Sequence, residues 1–139
     1  MTAALYAVAF RASLAPAVGV TSKRNRHNMT TNKAPEIAAL NHLARQAMGV
    51  TWCVYHTGGI CTLPPQDQSA IRERVEKFDA FTPDNDPYGE HDFGAFVHKG
   101  NRIFWKIDYY NTTLTAGSED PSDPKQTVRV LTIMLASEY

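Results

Sequence analysis

The stretch Phe81–Tyr110, FTPDNDPYGEHDFGAFVHKGNRIFWKIDYY, decides how this chain folds. Its second half reads as two strands, Phe93 to His98 and Arg102 to Tyr110, around a tight turn at Lys99-Gly100-Asn101. The second strand alternates strictly: Ile103, Trp105, Ile107 and Tyr109 point one way, and Arg102, Phe104, Lys106, Asp108 and Tyr110 point the other. One face is apolar enough to receive helices, and the other is polar with rings interleaved. The first half is acidic and rich in turn formers, with Asp84, Asp86, Glu90, His91 and Asp92 crowded into nine positions.

Upstream lie two helices. Pro35 to Met48 carries Ile37, Leu40, Ala44 and Ala47 at helical spacing, with Pro35 in a first-turn position and Gly49 as the stop. Pro65 to Phe81 carries the stripe Ile71, Val75, Phe78 and Phe81, with ion pairs Glu73–Lys77 and Arg72–Glu76 on the opposite side. Thr82-Pro83 ends it, because a residue before proline avoids the helical region. Between them Val50 to His56, VTWCVYH, reads as a strand closed by Gly58-Gly59. Downstream, Asn111 to Lys125 is a loop.

Val128 to Leu135, VRVLTIML, gives two signals. Asp123, Pro124 and Gln126 resemble a helix start, while Thr127, Val128, Val130, Thr132 and Ile133 are β-branched. A strand preceded by a single turn is the better reading. The order is α-β-α-β-β-β. It predicts an α+β fold in which two amphipathic helices pack on one face of a small, largely antiparallel four-stranded sheet.

A chain of 139 residues is one domain by length, and 43% hydrophobic content is ordinary for a globular protein. The zero formal net charge hides an asymmetry. Before residue 34 there are Arg11, Lys23, Arg24, Arg26 and Lys33 and no acid; from residue 34 onward nine basic residues face fourteen acidic ones. A domain of that sign is repelled by phosphate backbones, which argues against nonspecific nucleic-acid binding. Residues 1–33 read as a disordered tail or an over-called start, with Met29 as the alternative initiator, and residues 34–139 as the single globular domain. No stretch reaches the ~18 continuous apolar residues of a membrane span. Cys53 and Cys61, the two cysteines, form no zinc spacing and are expected to be reduced thiols in a cytoplasmic protein, Cys53 in the core and Cys61 in a loop.

The segment NDPYGEHDFG, with FWKIDYY and RVLTIMLASEY behind it, resembles a family of small bacterial proteins known as domain of unknown function 3768, with His91-Asp92-Phe93-Gly94 as its HDFG motif. The resemblance implies a bacterial, cytoplasmic protein of a kind common among accessory genes of plasmids and other mobile elements. It brings no activity, cofactor or catalytic residue. Asp92-Phe93-Gly94 also matches a three-letter kinase signature, but the glycine-rich loop, paired lysine and catalytic loop of a kinase are missing.

Three constellations are candidates for chemistry. Asp84, Asp86 and Glu90, with His91, are weak candidates for holding a divalent cation. Their spacing departs from a calcium loop, and Asp86-Pro87-Tyr88-Gly89 is a natural β-turn, so neither metal nor cofactor is expected. His91 and Asp92 suit an acid–base pair or, more simply, a loop anchor. Lys106 and Asp108, flanked by Phe104 and Tyr110, suit a polar ligand or an ordinary ion pair on a solvated face. Hairpin pairing puts His91 opposite roughly residue 109, so His91 and Asp108 are expected within about 10 Å of each other. The favoured reading is a non-enzymatic interaction module for an unknown protein or small polar ligand. The alternative is a small hydrolytic or metal-assisted enzyme using His91, Asp92 and Asp108. An enzyme requires the four candidates His91, Asp92, Lys106 and Asp108 to converge in a concave pocket.

Overall fold

A computed structural model of the protein describes residues 32–47 and 53–139. The expectations for residues 1–31, for residues 48–52 and for the Cys53 side chain lie outside the described residues. The elements run α1 (Ala34–Gln46), β1 (Cys53–His56), α2 (Gly58–Cys61), α3 (Pro65–Glu76), β2 (Phe93–His98), β3 (Asn101–Tyr110), β4 (Val128–Leu135) and a closing 3₁₀ turn (Ala136–Glu138).

The four strands form one sheet in the order β1-β4-β3-β2. The fold is α+β, but the sheet is mixed. β2–β3 and β3–β4 are antiparallel, whereas β1 runs parallel to β4, with Cys53 beside Val130 and His56 beside Ile133. The parallel pair has a simple cause. Parallel strands need a crossover connection, and everything from α2 to β3 lies between these two.

The β2–β3 turn is tighter than the sequence suggests. Lys99 (φ 48°) and Gly100 (φ 82°) are both left-handed, as a two-residue type I′ turn requires, and Asn101 already belongs to β3. The alternation along β3 holds: Ile103, Trp105, Ile107 and Tyr109 are all buried. They share one cluster with Ile37 and Ala44 of α1, Ile71 and Val75 of α3, and Leu131 and Ile133 of β4. Burying one such aliphatic or aromatic side chain contributes ~1.5–3 kcal/mol.

β4 resolves its own ambiguity. It sits between β1 and β3, and its six central residues are buried, including those on the face away from Trp105. A strand covered on both sides carries a mainly apolar run instead of an alternation, and here only Arg129 and Thr132 interrupt it.

Two helix boundaries differ from expectation. Gly58-Gly59 does more than end β1: it opens the single turn α2, which sets Ile60 fully into the core. α3 stops at Glu76, short of Phe81. Phe78 and Phe81 reach the core from the following loop, where each packs edge-on to Trp105. No helix among the described residues is long and apolar enough to cross a membrane.

Candidate functional site

The acidic loop is built around Asp86. Its buried carboxylate accepts the backbone N–H of Glu90 at 3.0 Å and of His91 at 3.2 Å, which turns the chain sharply into β2. Gly89 (φ 69°) and His91 (φ 55°) take the left-handed conformations that this reversal demands. The His91 ring stacks flat on Phe81 at 4.0 Å, and its Nε2 stands 3.6 Å from Asp86. Asp84 is exposed at the rim.

Glu90 goes the other way, into the interior. Its carboxylate accepts the Tyr109 hydroxyl at 2.9 Å, and its carbonyl accepts Asn41 Nδ2 at 2.9 Å. Asn41 also donates to the Tyr109 hydroxyl at 2.7 Å and accepts Arg129 Nε at 2.7 Å. The Arg129 guanidinium lies over the Tyr109 ring and donates to the Pro121 carbonyl. Glu90, Tyr109, Asn41 and Arg129 are all buried, so this net ties α1, the acidic loop and the two central strands together. Burial, reinforced by the nearby charges of Asp92 and Glu90, pushes the Tyr109 hydroxyl well above its ordinary pKa. Among the described residues no group of three or more His, Cys, Asp or Glu is placed to hold a metal ion.

Lys106 and Asp108 project from the other face of β3, opposite Thr132 and Val130 of β4. Their charges meet at 3.0 Å, with side-chain exposures of 12% and 20%. This face is therefore not a solvated exterior: Tyr55, Tyr110, Val130, Thr132 and Met134 on it are buried as well. The Lys106 ammonium is thus the charge partner of Asp108 Oδ2 inside a covered face. Burial raises the Asp108 carboxyl above its usual pKa, and Lys106 only partly offsets this.

The structure does not bring the four sequence candidates together. The β2–β3 ladder begins at Phe93 beside Lys106, and the Asp92 carbonyl accepts the Ile107 N–H at 2.8 Å. His91 leaves the strand at that point, and its ring lies on Phe81, which borders Trp105. Asp108 points away from Trp105, so His91 and Asp108 occupy opposite faces of the sheet. Gly94 has a packing reason. It pairs with Trp105, whose indole lies across it, and a Cβ there would overlap the ring nitrogen.

Several important polar residues escape sequence reasoning. Arg45 is buried on α1; its Nη1 donates to the carbonyls of Val75 (2.9 Å) and Phe78 (2.8 Å), and its guanidinium lies over Trp105. Glu138 accepts the Thr57 hydroxyl and the N–H groups of Gly59 (2.8 Å) and Leu135 (3.0 Å). Asp67, at the start of α3, holds the hairpin tip through His98 (3.0 Å) and Lys99 (2.7 Å). The only advance signal was a charged residue interrupting an apolar stripe, as Arg45 and Arg129 do.

One surface remains open. β2 ends the sheet, and the Ile107–Asp92 bond fixes which way its backbone points. Gly94, Phe96 and His98 turn their backbone groups toward β3, while Phe93, Ala95 and Val97 turn theirs outward. Arg74 donates to the Val97 carbonyl and lies over the Phe96 ring. No other described residue bonds to that outer edge. Beside it lies an open hollow of about 530 Å³ lined by Glu73, Arg74, Lys77, Phe78, Ala95 and Phe96, among others.

Fold and surface together define a small α+β protein with a mixed four-stranded sheet whose β2 edge is open among the described residues. The chain belongs to the family described as "Protein of unknown function (DUF3768)", whose model matches residues 56–138, more than half its length. No curated protein and no solved structure matches it. The matched region runs from the end of β1 to the closing turn and leaves out α1, with Asn41 and Arg45.

Proposed function

We propose that this protein is a non-enzymatic interaction module whose contact surface is the open edge of its sheet at β2. The observation that carries this reading is the outward-facing backbone of Phe93, Ala95 and Val97. A sheet edge is a ready template for a further strand, and many binding domains recognise an extended segment by adding it there. Natural sheets normally blunt such an edge with a lysine, a proline or a bulge. Here Lys99 sits at the hairpin tip and is drawn to Asp67, and β2 has neither proline nor bulge. Val97 is 58% exposed and Tyr139 70%, which adds apolar surface beside the edge.

The side chains with acid–base chemistry are meanwhile occupied in holding the fold. Asp86 makes a turn, Glu90 anchors Tyr109, His91 stacks on Phe81, and Lys106 pairs with Asp108. An enzyme using His91, Asp92 and Asp108 would need them on one side of the sheet.

Affinity capture with the full chain and with its Ala95→Pro variant tests the reading. Proline is tolerated on an edge strand where the N–H faces outward, yet it removes the donor that a docking strand needs. Proteins retained by the wild type should be lost from the variant. Identical captured sets from both would refute the edge as the contact surface.

A further inference from the structure

We infer that the occupant of this edge is a second copy of the same chain, its β2 running antiparallel to the first across a two-fold axis at Ala95. The inference rests on the reading of β2 as the contact surface. Three features of the strand favour a self-match.

The first is the backbone. Phe93, Ala95 and Val97 all turn outward, so an axis at Ala95 lets each Ala95 exchange both hydrogen bonds with Ala95 of the second copy. Phe93 of one chain then falls opposite Val97 of the other, again as a hydrogen-bonded pair. The Val97 carbonyl already accepts from Arg74, but a carbonyl has two lone pairs and takes both donors.

The second is the side chains on the Lys106 face. Ala95 is small and sits on the axis, where a large residue would meet itself. Val97, 58% exposed in the single chain, gains Phe93 of the second copy. That ring is already held edge-on by Phe104 at 5.3 Å and Tyr139 at 6.4 Å. An aromatic facing a β-branched residue is a favourable cross-strand pair. Tyr139 is itself 70% exposed and lies beside the same seam.

The third is charge. β2 is entered through Asp92, with the exposed Asp84 further upstream, and it leaves into His98, Lys99 and Arg102. Antiparallel pairing about Ala95 sets Asp92 opposite His98 of the second copy. Parallel pairing would set like against like. Complementary ends of this kind fix register and orientation.

Sedimentation of the purified full chain over a thousand-fold concentration range is the test, alongside hydrogen exchange of the Phe93, Ala95 and Val97 amides. The wild type should pass from one chain to two, with those three amides becoming protected in step. Val97→Lys, a change at an exposed position, should stay a single chain at every concentration, with a thermal melt that matches the wild type's at concentrations where the wild type is also single, and Ala95→Pro should do the same. A wild type that remains one chain throughout refutes self-pairing, as does a Val97→Lys variant that still dimerises. If the wild type stays single but Ala95→Pro still loses captured proteins, self-pairing fails and the edge reading survives. If Ala95→Pro changes no capture either, both fail.

Discussion

Arg45 Nη1 stands 2.9 Å from the Val75 carbonyl oxygen, so a cation on α1 closes the last turn of α3. The carbonyls at a helix end have no partner within the helix, and here Arg45 serves both Val75 and Phe78 while lying over Trp105. Arg45→Ala should cost about 3 kcal/mol in a denaturant melt, because two inward carbonyls lose a charged donor. Arg45→Lys should recover only part, since one ammonium lacks the planar fork. A loss below ~1 kcal/mol for the alanine variant would show that water replaces the guanidinium.

Trp105 and Phe78 should differ in cost. Trp105 is fully buried, and Trp105→Ala should cost about 4 kcal/mol. Phe78 is half-buried outside the helix and meets Trp105 only edge-on, so Phe78→Ala should cost about 2 kcal/mol. Chemical denaturation of both variants checks the order, and a reversal would mean that the loop after α3 carries more of the core than its exposure indicates.

Gly94→Ala should be more damaging than its size suggests. The added methyl meets the Trp105 indole, which is held in place by Arg45, Phe78 and Phe81. Overpacking of this kind costs ~1–3 kcal/mol. Trp105→Phe in the same chain should restore much of the loss, which makes the double-mutant cycle the decisive measurement.

Asp108 should reveal itself through pH. Its carboxyl is raised by burial, so between its unfolded value near 3.8 and its folded value the native state binds more protons. The stability it supplies is thus fully present below the unfolded value and is lost as pH rises through the folded one. Thermal melts of the wild type and Asp108→Asn from acid to neutral pH should show the wild type gaining on the variant as pH falls. Two parallel curves would mean that the carboxyl titrates as it does in water.

Asp86→Ala should remove the acceptor for two backbone N–H groups and cost ~1–3 kcal/mol. Calorimetric titration of the wild type with calcium, magnesium, manganese and zinc should give nothing tighter than ~10 µM. A tight site abolished by Asp86→Ala would return the acidic loop to the metal-binding reading.

The hairpin, the two long helices and the strand nature of β4 were legible because each rests on a local pattern: the glycine turn, the alternation along β3, the stripe Ile71-Val75 and the run of β-branched residues. The pairing of β1 with β4 was not, since nothing near Cys53 announces a partner at Val130. Lys106 and Asp108 illustrate the same limit. Alternation tells which residues share a face, but only the assembled sheet tells what lies over it. His91 failed for a local reason: one left-handed residue at the mouth of β2 sends its ring to Phe81, which the pairing arithmetic of a regular hairpin does not foresee.

The position of β4 sets the timetable for folding on the ribosome. Both β1 and the β2–β3 hairpin dock onto a strand that is synthesised after them, so until β4 is made they have no shared sheet to join. The core cluster is complete only with Leu131 and Ile133 of β4 in place. Until then the apolar sides of β1 and β3 are exposed together with the β2 edge, and this interval is when chaperones or a neighbouring nascent copy would find the chain most receptive.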